Sequence, residues 1–443
     1  MSGRLPRMLG SETEVACLQG RMQRYVNLDY AASTPVMADV WAAVEAFVPW
    51  YSSVHRGSGV KSQVATAEYE GARDVVARFV GAREGDSVAF VRNTTEAVNV
   101  LAAALPPGTS VLSTPVEHHA NMLPWRRHDL RLLPFTRTPE ELLDVCESAL
   151  RATRTDLLAV TGASNVTGEV WPVAELAELA HHYGAELFVD AAQLAPHRAV
   201  DMAATGIDHL AFSGHKLYAP FGAGALVGRL PEGEPLIAGG GAVELVTIDD
   251  VIWNAVPERY EAGSPNVIGV VALAAACRRL MALGMDTVTA HERSLAVRLW
   301  TALDGVPGLE TLTQWPRGTV DRVGVAAFTL DGYRDPLLAA ILSAEHGIGV
   351  RHGCFCAHPL MTHLLGVPEA EARRLHAELR AGRRPQLPGA VRASIGLGTT
   401  ADDIDRLVRA LHEIATVGPS TRYLHDPAHD EYRPVDEGVR SAA

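Results

Sequence analysis

The side chain with the most specific chemistry in this 443-residue sequence is a lysine amine, because only two of its 39 basic residues, Lys61 and Lys216, are lysines. Lys61 begins a charged helical pattern and is expected on the surface. Lys216 follows the apolar residues 209–212 and ends the segment 213–216 (Ser-Gly-His-Lys). Partial burial at the end of a strand lowers the pKa of an amine. Lys216 is therefore a candidate to form a Schiff base with an aldehyde cofactor.

Other polar groups follow apolar runs in the same way. Thr94 and Thr95 come after the apolar residues 88–91 and begin a helical pattern, where backbone N–H groups bind phosphate. His118 follows another apolar run, and Asp190 follows residues 187–189. Each group alone also fits a helix cap or a structural histidine. Together they supply a phosphate site, a flat ring partner and a carboxylate for a ring nitrogen, which pyridoxal phosphate (PLP) requires beside its lysine.

Short apolar runs that alternate with longer helical patterns must position these side chains. Candidate strands are 111–113, 157–160 and 186–190, and residues 171–183 have a helical pattern. Strands that are separated by helices predict a mostly parallel sheet with helices on both faces. Ligands of such sheets bind at the carboxyl ends of the strands, so these polar residues are expected to meet there.

The order of the motifs resembles the class V aminotransferase-like, fold-type I PLP enzymes, and most closely the cysteine desulfurase/selenocysteine lyase branch. The resemblance extends from about residue 28 to about residue 411. The motifs that carry it are 28–33 (Leu-Asp-Tyr-Ala-Ala-Ser), 54–57, 94–97, 117–121, 164–166, 189–193, 213–216, 261–266 and 392–394. The resemblance implies an α/β fold in which a mostly parallel central sheet has helices on both faces and a smaller α/β domain follows.

The resemblance also implies a set of residues around PLP. Lys216 would form the Schiff base and later move the α-proton of the substrate, Asp190 would contact the pyridine nitrogen, and His118 would stack on the ring. The phosphate would be bound by Thr94, Thr95, Ser213, His215 and, from the neighbouring subunit, Ser264. The phenolic oxygen would be held by Asn165 and Gln193. A site that two subunits share in this way implies a homodimer.

For the substrate, the resemblance implies that Arg392 binds the carboxylate, since a guanidinium can form two parallel hydrogen bonds with it. The further substrate-binding residues would be Arg351, His55 and Asn165.

The reaction type depends on the cysteine loop, residues 351–361 (Arg-His-Gly-Cys-Phe-Cys-Ala-His-Pro-Leu-Met). In the desulfurase branch one nucleophilic cysteine precedes Ala-x-Pro-Leu-Met, and Cys356 matches it. Cys354 departs from that pattern. The sequence Gly-Cys-Phe-Cys at 353–356 is instead similar to that of the desulfurase domain of molybdenum cofactor sulfurases, and Cys354 is a candidate second thiol. Two alternatives stay open, a zinc site that His352 and His358 would complete, and a pair of unreactive loop cysteines. We predict a reactive Cys356 and no metal.

Composition and charge limit the partners and the cellular location that we expect for this protein. The formal net charge of −13 and the absence of a basic stripe with aromatic residues argue against a nucleic-acid partner. No apolar run is long enough to span a membrane. The N-terminus has no apolar signal core, and five cysteines do not form a paired framework, so we expect a cytoplasmic protein.

Along the chain we expect an N-terminal arm over residues 1–27 that packs with the small domain and a large PLP-binding domain over 28–284. A small C-terminal domain is expected over 285–417, with a charged, Arg-rich insertion at 367–389. That insertion forms a lid, a docking surface for a sulfur acceptor or a solvated segment. The polar residues 418–443 predict a disordered tail.

These observations predict a PLP-dependent cysteine desulfurase that converts L-cysteine to L-alanine and leaves a persulfide on Cys356 for transfer to an acceptor, which can be a protein. The alternatives are a C–S lyase, epimerase or aminotransferase for a different amino acid, or a non-catalytic scaffold relative.

Overall fold

The computed structural model describes residues 5–435. Its strands are β1 (Glu14–Ala16), β2 (Met22–Arg24), β3 (Val26–Asn27), β4 (Ser87–Val91), β5 (Ser110–Ser113), β6 (Asp129–Leu132), β7 (Leu157–Thr161), β8 (Glu186–Asp190), β9 (His209–Ser213), β10 (Gly224–Gly228), β11 (Val243–Val246), β12 (Val251–Trp253), β13 (Leu309–Leu312), β14 (Val325–Leu330), β15 (Ile348–Gly349), β16 (Arg351–Gly353), β17 (Ala390–Ser394), β18 (Tyr423–Asp426) and β19 (Glu431–Pro434). Its α-helices are α1 (Ala38–Phe47), α2 (Val60–Phe79), α3 (Thr94–Ala104), α4 (Pro139–Ala152), α5 (Val173–His182), α6 (Met202–Thr205), α7 (Val267–Leu283), α8 (Met285–Leu303), α9 (Asp335–His346), α10 (His358–Leu364), α11 (Glu369–Arg380) and α12 (Ala401–Thr416).

A seven-stranded sheet in the order β4-β10-β9-β8-β7-β5-β6 forms the centre of the larger part. The five strands from β9 to β6 are parallel, and only β10 pairs antiparallel with both of its neighbours. The predicted mostly parallel α/β fold is confirmed.

Alternate residues of the sheet strands pack into two different apolar clusters. In β8, Leu187 and Val189 join one cluster while Phe188 joins the other, and in β9 Leu210 and Ala211 divide in the same way. Successive side chains of a strand point to opposite faces, so both faces of this sheet are buried. The polar residues at the strand ends thereby remain the groups that can face a ligand.

The smaller part contains a four-stranded antiparallel sheet, in the order β13-β14-β17-β16, with its own apolar core. The N-terminal segment contacts this part: β3 pairs parallel with β15, and the Arg24 guanidinium forms an ion pair with Asp403 at the start of α12. These contacts involve described residues of the expected arm; residues 1–4 lie outside the described part of the chain.

The prediction of a disordered tail from residue 418 is wrong for its described portion. β18 and β19 form a hairpin that packs on α9. Arg334 binds Asp430 at 2.9 Å, and the Tyr423 hydroxyl donates to Glu345 at 2.9 Å. The polar composition misled the prediction because ion pairs and ring contacts, not a hydrophobic stripe, hold this hairpin. Residues 436–443 lie outside the described residues.

The charged insertion at 367–389 contains the helix α11, which has one buried residue, Leu375. Ion pairs within the helix join Arg374 to Glu371 and Glu378. Residues 381–389 then return to β17 as a loop with two prolines.

Candidate active site

The carboxyl ends of β7, β8 and β9 open into an inner cavity of about 340 Å³. Thr161, Asp190 and Ser213, the last residues of these strands, line it. The other lining residues used below are Thr94, Thr95, His118, Asn165, Gln193, His215, Lys216, Arg351, Phe355, Cys356 and Arg392. The structure therefore brings most of the predicted site residues to one place.

Lys216 lies in a short turn directly after β9. A Cβ on Gly214 would lie 2.6 Å from the Ala223 carbonyl oxygen, so the turn needs glycine at that position. Burial lowers the pKa of the Lys216 amine to about 8; the Arg392 guanidinium acts in the same direction, while the Asp190 carboxylate opposes it. An amine with this pKa is partly unprotonated near neutral pH and is a competent nucleophile and base.

Asp190 is 5% exposed, and burial raises the pKa of its carboxyl. The Ala192 N–H donates to Asp190 Oδ1 at 2.9 Å, which fixes the carboxyl at the floor of the cavity. A buried carboxylate without a bound cation gains stability when a protonated nitrogen is placed against it.

The N-terminus of α3 lines one end of the cavity. The Thr94 N–H donates to Ser213 Oγ at 2.8 Å, and the two hydroxyls are 2.8 Å apart. Thr95 and His215 also line this end, and burial lowers the pKa of the His215 imidazole to about 4, with the Lys216 charge acting in the same direction. Helix N–H groups and hydroxyls at this point match an anion such as phosphate.

His118 presents a neutral ring to the cavity. Burial lowers the pKa of its imidazole to about 3, and the positive charge of Lys216 contributes. Its Nδ1 accepts from the Ala120 N–H at 3.1 Å, so the proton of the neutral ring lies on Nε2. A neutral ring held in this way is a suitable stacking partner for an aromatic cofactor.

Glu117, beside it, is a residue whose individual role the sequence did not indicate. Its carboxyl is fully buried and accepts from Thr114 Oγ1 at 2.7 Å, Asn121 Nδ2 at 2.6 Å and the Thr161 N–H at 3.1 Å. Burial raises the pKa of this carboxyl to about 8. Glu117 therefore ties the segment that carries His118 to the end of β7.

Arg392 lies on β17, directly opposite Arg351 on β16. It is 3% exposed, and its guanidinium donates to the Asn165 carbonyl at 2.9 Å and to Asp29 Oδ1 at 3.1 Å. Its Nε has no hydrogen-bond partner among the described residues. Asp29 also lies 3.9 Å from Arg351, so this carboxylate balances both cations. The pair can bind a substrate carboxylate at a partly neutralised site.

The cysteine loop is held in a strained turn. Phe355 and Cys356 have φ of 53° and 55°, and the Ala357 N–H donates to the Cys354 carbonyl at 2.9 Å. Positive φ at two consecutive non-glycine residues costs about 1–3 kcal/mol each. The turn is fixed by Asn165 Nδ2, which donates to the Phe355 carbonyl at 2.8 Å, and by a main-chain bond between residues 119 and 356. Cys356 is thereby presented to the cavity.

Two predicted residues do not reach the cavity within one chain. Ser264 is exposed and does not line it. His55 is turned away: its Nε2 lies 2.8 Å from Glu70 Oε1 and its ring packs edge-on against Tyr69. The predicted substrate contact of His55 is therefore not present in a single chain, because its ring is hydrogen-bonded to Glu70 instead.

The residues that are present fit PLP. Gln193 Nε2 donates to the Ala31 carbonyl at 2.7 Å, while its buried Oε1 has no partner among the described residues and remains available to a ligand. The cavity also offers an amine, a buried carboxyl, a neutral ring and a helix N-terminus. The amine matches the aldehyde of PLP, the carboxyl its pyridine nitrogen, the neutral ring its aromatic ring and the helix N-terminus its phosphate.

No three His, Cys, Asp or Glu side chains within residues 5–435 are grouped so that they could hold a metal ion. His358, one of the predicted alternative zinc ligands, stacks on His119 with ring centres 5.0 Å apart. In the same part of the chain no single helix has the length and apolar character to cross a membrane; α7 and α8 pass such a test only as a pair, with an 81° bend between them.

This sheet, with its amine and carboxyl at the strand ends, defines a PLP-dependent enzyme of fold type I. The chain belongs to the class V aminotransferase family, whose profile (Aminotransferase class-V) matches residues 26–407. The predicted family, enzyme class and cofactor are confirmed.

Relatives in this family are named cysteine desulfurases. A cysteine desulfurase of Dickeya dadantii is 39% identical over 380 residues, which cover 82% of this chain and 85% of that protein. The apo structure of a cysteine desulfurase from Thermococcus onnurineus has a TM-score of 0.77 at 31% identity, covering 89% of this chain and 95% of its own. The cysteine desulfurase CsdA of Escherichia coli has a TM-score of 0.73 at 32% identity, with 87% and 94% covered.

Proposed function

We propose that this protein is a cysteine desulfurase that removes sulfur from L-cysteine, forms L-alanine and holds the sulfur as a persulfide on Cys356. The observation that carries the proposal is that Lys216 and Cys356 line the same inner cavity, with Arg392 between the sheet and the cysteine loop. The relatives described above support the choice of L-cysteine.

PLP would be held by Lys216, by Asp190 at its nitrogen and by the threonines at the start of α3. When bound, it supplies an aldehyde for the substrate amine and a ring that delocalises the electrons released at the α-carbon. The neutral His118 ring and the unpartnered Gln193 amide oxygen face the space that PLP would fill.

Arg392 orients the substrate by its carboxylate, and Lys216 Nζ takes the α-proton. The amine can do this because its pKa of about 8 leaves a substantial unprotonated fraction near neutral pH. A base held beside a bound, correctly oriented substrate does not need to be strong, because its position replaces part of the cost of bringing the two groups together.

Cys356 completes the reaction as a thiolate. It attacks the substrate sulfur, so an S–S bond forms as the Cβ–S bond breaks, and the electron pair of that bond remains on the carbon skeleton. Protonation of this skeleton yields alanine. Formation of the S–S bond oxidises the sulfur by two electrons, and the carbon skeleton that keeps the electron pair is reduced by the same two electrons, so no external oxidant is needed.

We also infer a homodimer. Ser264 is exposed and does not line the cavity of its own chain, which agrees with a role in the site of a second copy. The hairpin formed by β11 and β12 exposes several large apolar side chains, among them Leu245, Val246, Ile248 and Ile252. An exposed apolar patch of this kind is typical of a surface that another subunit covers.

The five cysteines are all free, and proteins without disulfides are typical of a reducing compartment, which favours the cytoplasm. The persulfide sulfur would leave to a thiol acceptor, and a protein acceptor agrees with the exposure of Cys356.

The test is mass spectrometry of the PLP-loaded enzyme after treatment with L-cysteine. We expect one added sulfur atom on Cys356, and loss of both the adduct and sulfide release in Cys356→Ala. If Cys356→Ala still releases sulfide from L-cysteine at the wild-type rate, the enzyme is a lyase and the proposal is wrong.

A further inference from the structure

A second, outer cavity of about 680 Å³ lies on the far side of the cysteine loop. It is bounded by the cysteine loop, by residues 384–388 of the charged insertion and by the hairpin that follows residue 418. Cys356 lines both the inner and the outer cavity, whereas Cys354 lines only the outer one. Cys354 can therefore be reached from the outer cavity only, whereas Cys356, the more exposed of the two thiols, borders both cavities.

The turn that carries both cysteines makes this arrangement rigid. The hydrogen bond from the Ala357 N–H to the Cys354 carbonyl closes the turn. Phe355, between the cysteines, is 7% exposed and packs over the Arg392 guanidinium, so this side chain points inward. Cys354 is partly buried against the main apolar core and has no disulfide partner.

We propose that Cys354 is a second sulfur-carrying residue, which receives the sulfane sulfur from Cys356 and presents it in the outer cavity; this rests on the function proposed above. The Cys354 thiolate attacks the outer sulfur of the Cys356 persulfide. The S–S bond on Cys356 breaks, a new S–S bond forms on Cys354, and Cys356 leaves as a thiolate. Nothing is oxidised or reduced overall, and no further reactant is needed.

The order of the two thiols follows from the cavities. Cys354 cannot take sulfur from the substrate directly, because it does not line the cavity that holds the reacting groups. Once Cys356 has been restored to a thiolate, it can react with a second L-cysteine. Without an acceptor, each chain therefore stores two sulfur atoms rather than one.

In the experiment the PLP-loaded enzyme is mixed with L-cysteine without reductant, and the alanine and sulfane sulfur formed per chain are counted. The protein is then alkylated and digested, and fragment ions show which cysteine carries the sulfur. We expect two alanine molecules and two sulfane sulfur atoms per chain in the wild type, with one sulfur atom on each cysteine. Cys354→Ser and Cys354→Ala should retain one sulfur atom per chain, on Cys356. Cys356→Ser should retain no sulfur. An unchanged visible spectrum shows that each variant holds PLP as the wild type does.

Two results would overturn the relay. One is a wild type that stores a single sulfur atom on Cys356; the other is a Cys354→Ser variant that still stores two, because both atoms would then be on Cys356. In both cases the desulfurase proposal survives. A wild type that stores no sulfur on either residue instead refutes the desulfurase proposal itself, so the two failures are distinguishable.

Discussion

The guanidinium carbon of Arg392 lies 5.0 Å from the centre of the Phe355 ring. The residue that we propose to bind the substrate carboxylate is thereby packed against the immediate neighbour of Cys356. Because Asn165 also binds the same turn, we expect substrate binding at Arg392 to affect the position of the Cys356 thiol.

This contact predicts the effect of Phe355→Leu. Loss of the cation–π contact should weaken substrate orientation by about 1 kcal/mol, or roughly fivefold in KM for L-cysteine. The persulfide should also form more slowly, because the turn is less firmly held. Steady-state kinetics and quenched-flow alanine release measure the two effects. Phe135→Leu is a matched control, since Phe135 stacks on His363 and does not line the inner cavity; an equal loss in both variants would count against the link.

Arg392→Lys should bind L-cysteine more weakly. Lysine keeps the charge but cannot form the two parallel hydrogen bonds, which costs about 1.5–3 kcal/mol, or roughly 10- to 100-fold in KM. The spectral change on substrate addition reports this binding. Arg351→Lys, on a half-exposed side chain opposite Arg392, should have a smaller effect. A larger effect at Arg351 would move the carboxylate site to that residue.

Because the chain has two lysines, the assignment of the PLP lysine has a complete control. Lys216→Ala should abolish the visible absorption band of the purified enzyme and the covalent label left by borohydride reduction. Lys61→Ala should leave both unchanged, since Lys61 is exposed at the start of α2. A label that persists in Lys216→Ala would exclude the assignment.

The uptake of PLP by the apoprotein should depend on pH through the Lys216 amine. The neutral amine is the nucleophile, and burial lowers its pKa to about 8, so the rate should rise through pH 8 and level off above it. Asp190→Asn should move the inflection to lower pH, because the Asp190 charge raises the pKa of Lys216. Stopped-flow absorbance measures the rate; an inflection near the ordinary pKa of lysine would mean that the amine is solvated.

Much of the cavity was predictable from the sequence, because its residues follow short apolar runs and such runs end at one edge of a parallel sheet. Asp190 and Lys216 are the simplest cases. Asp29 and Glu117 were not singled out, since their roles depend on pairing with Arg392 and on burial beneath His118, which no local pattern records. The positive φ of Phe355 and Cys356 was equally hidden, because neither residue type favours that conformation.

The hairpin after residue 418 and the orientation of His55 are two features for which the prediction from sequence differs from the structure. Both are decided by side-chain contacts with residues elsewhere in the chain, the Arg334–Asp430 ion pair and the hydrogen bond between His55 and Glu70. Composition describes the polarity of such segments but does not identify their partners, so it predicts a disordered tail where the structure has a hairpin.

The scarcity of lysine also has a practical consequence. With Lys216 enclosed in the inner cavity, amine-reactive dyes and surface coupling reagents can reach only one lysine side chain on the outside, at position 61. Ordinary succinimidyl chemistry, which labels most proteins at many lysines, would attach a fluorophore or tether to this enzyme at Lys61 and at the α-amino group, and the second site is removed by blocking that terminus.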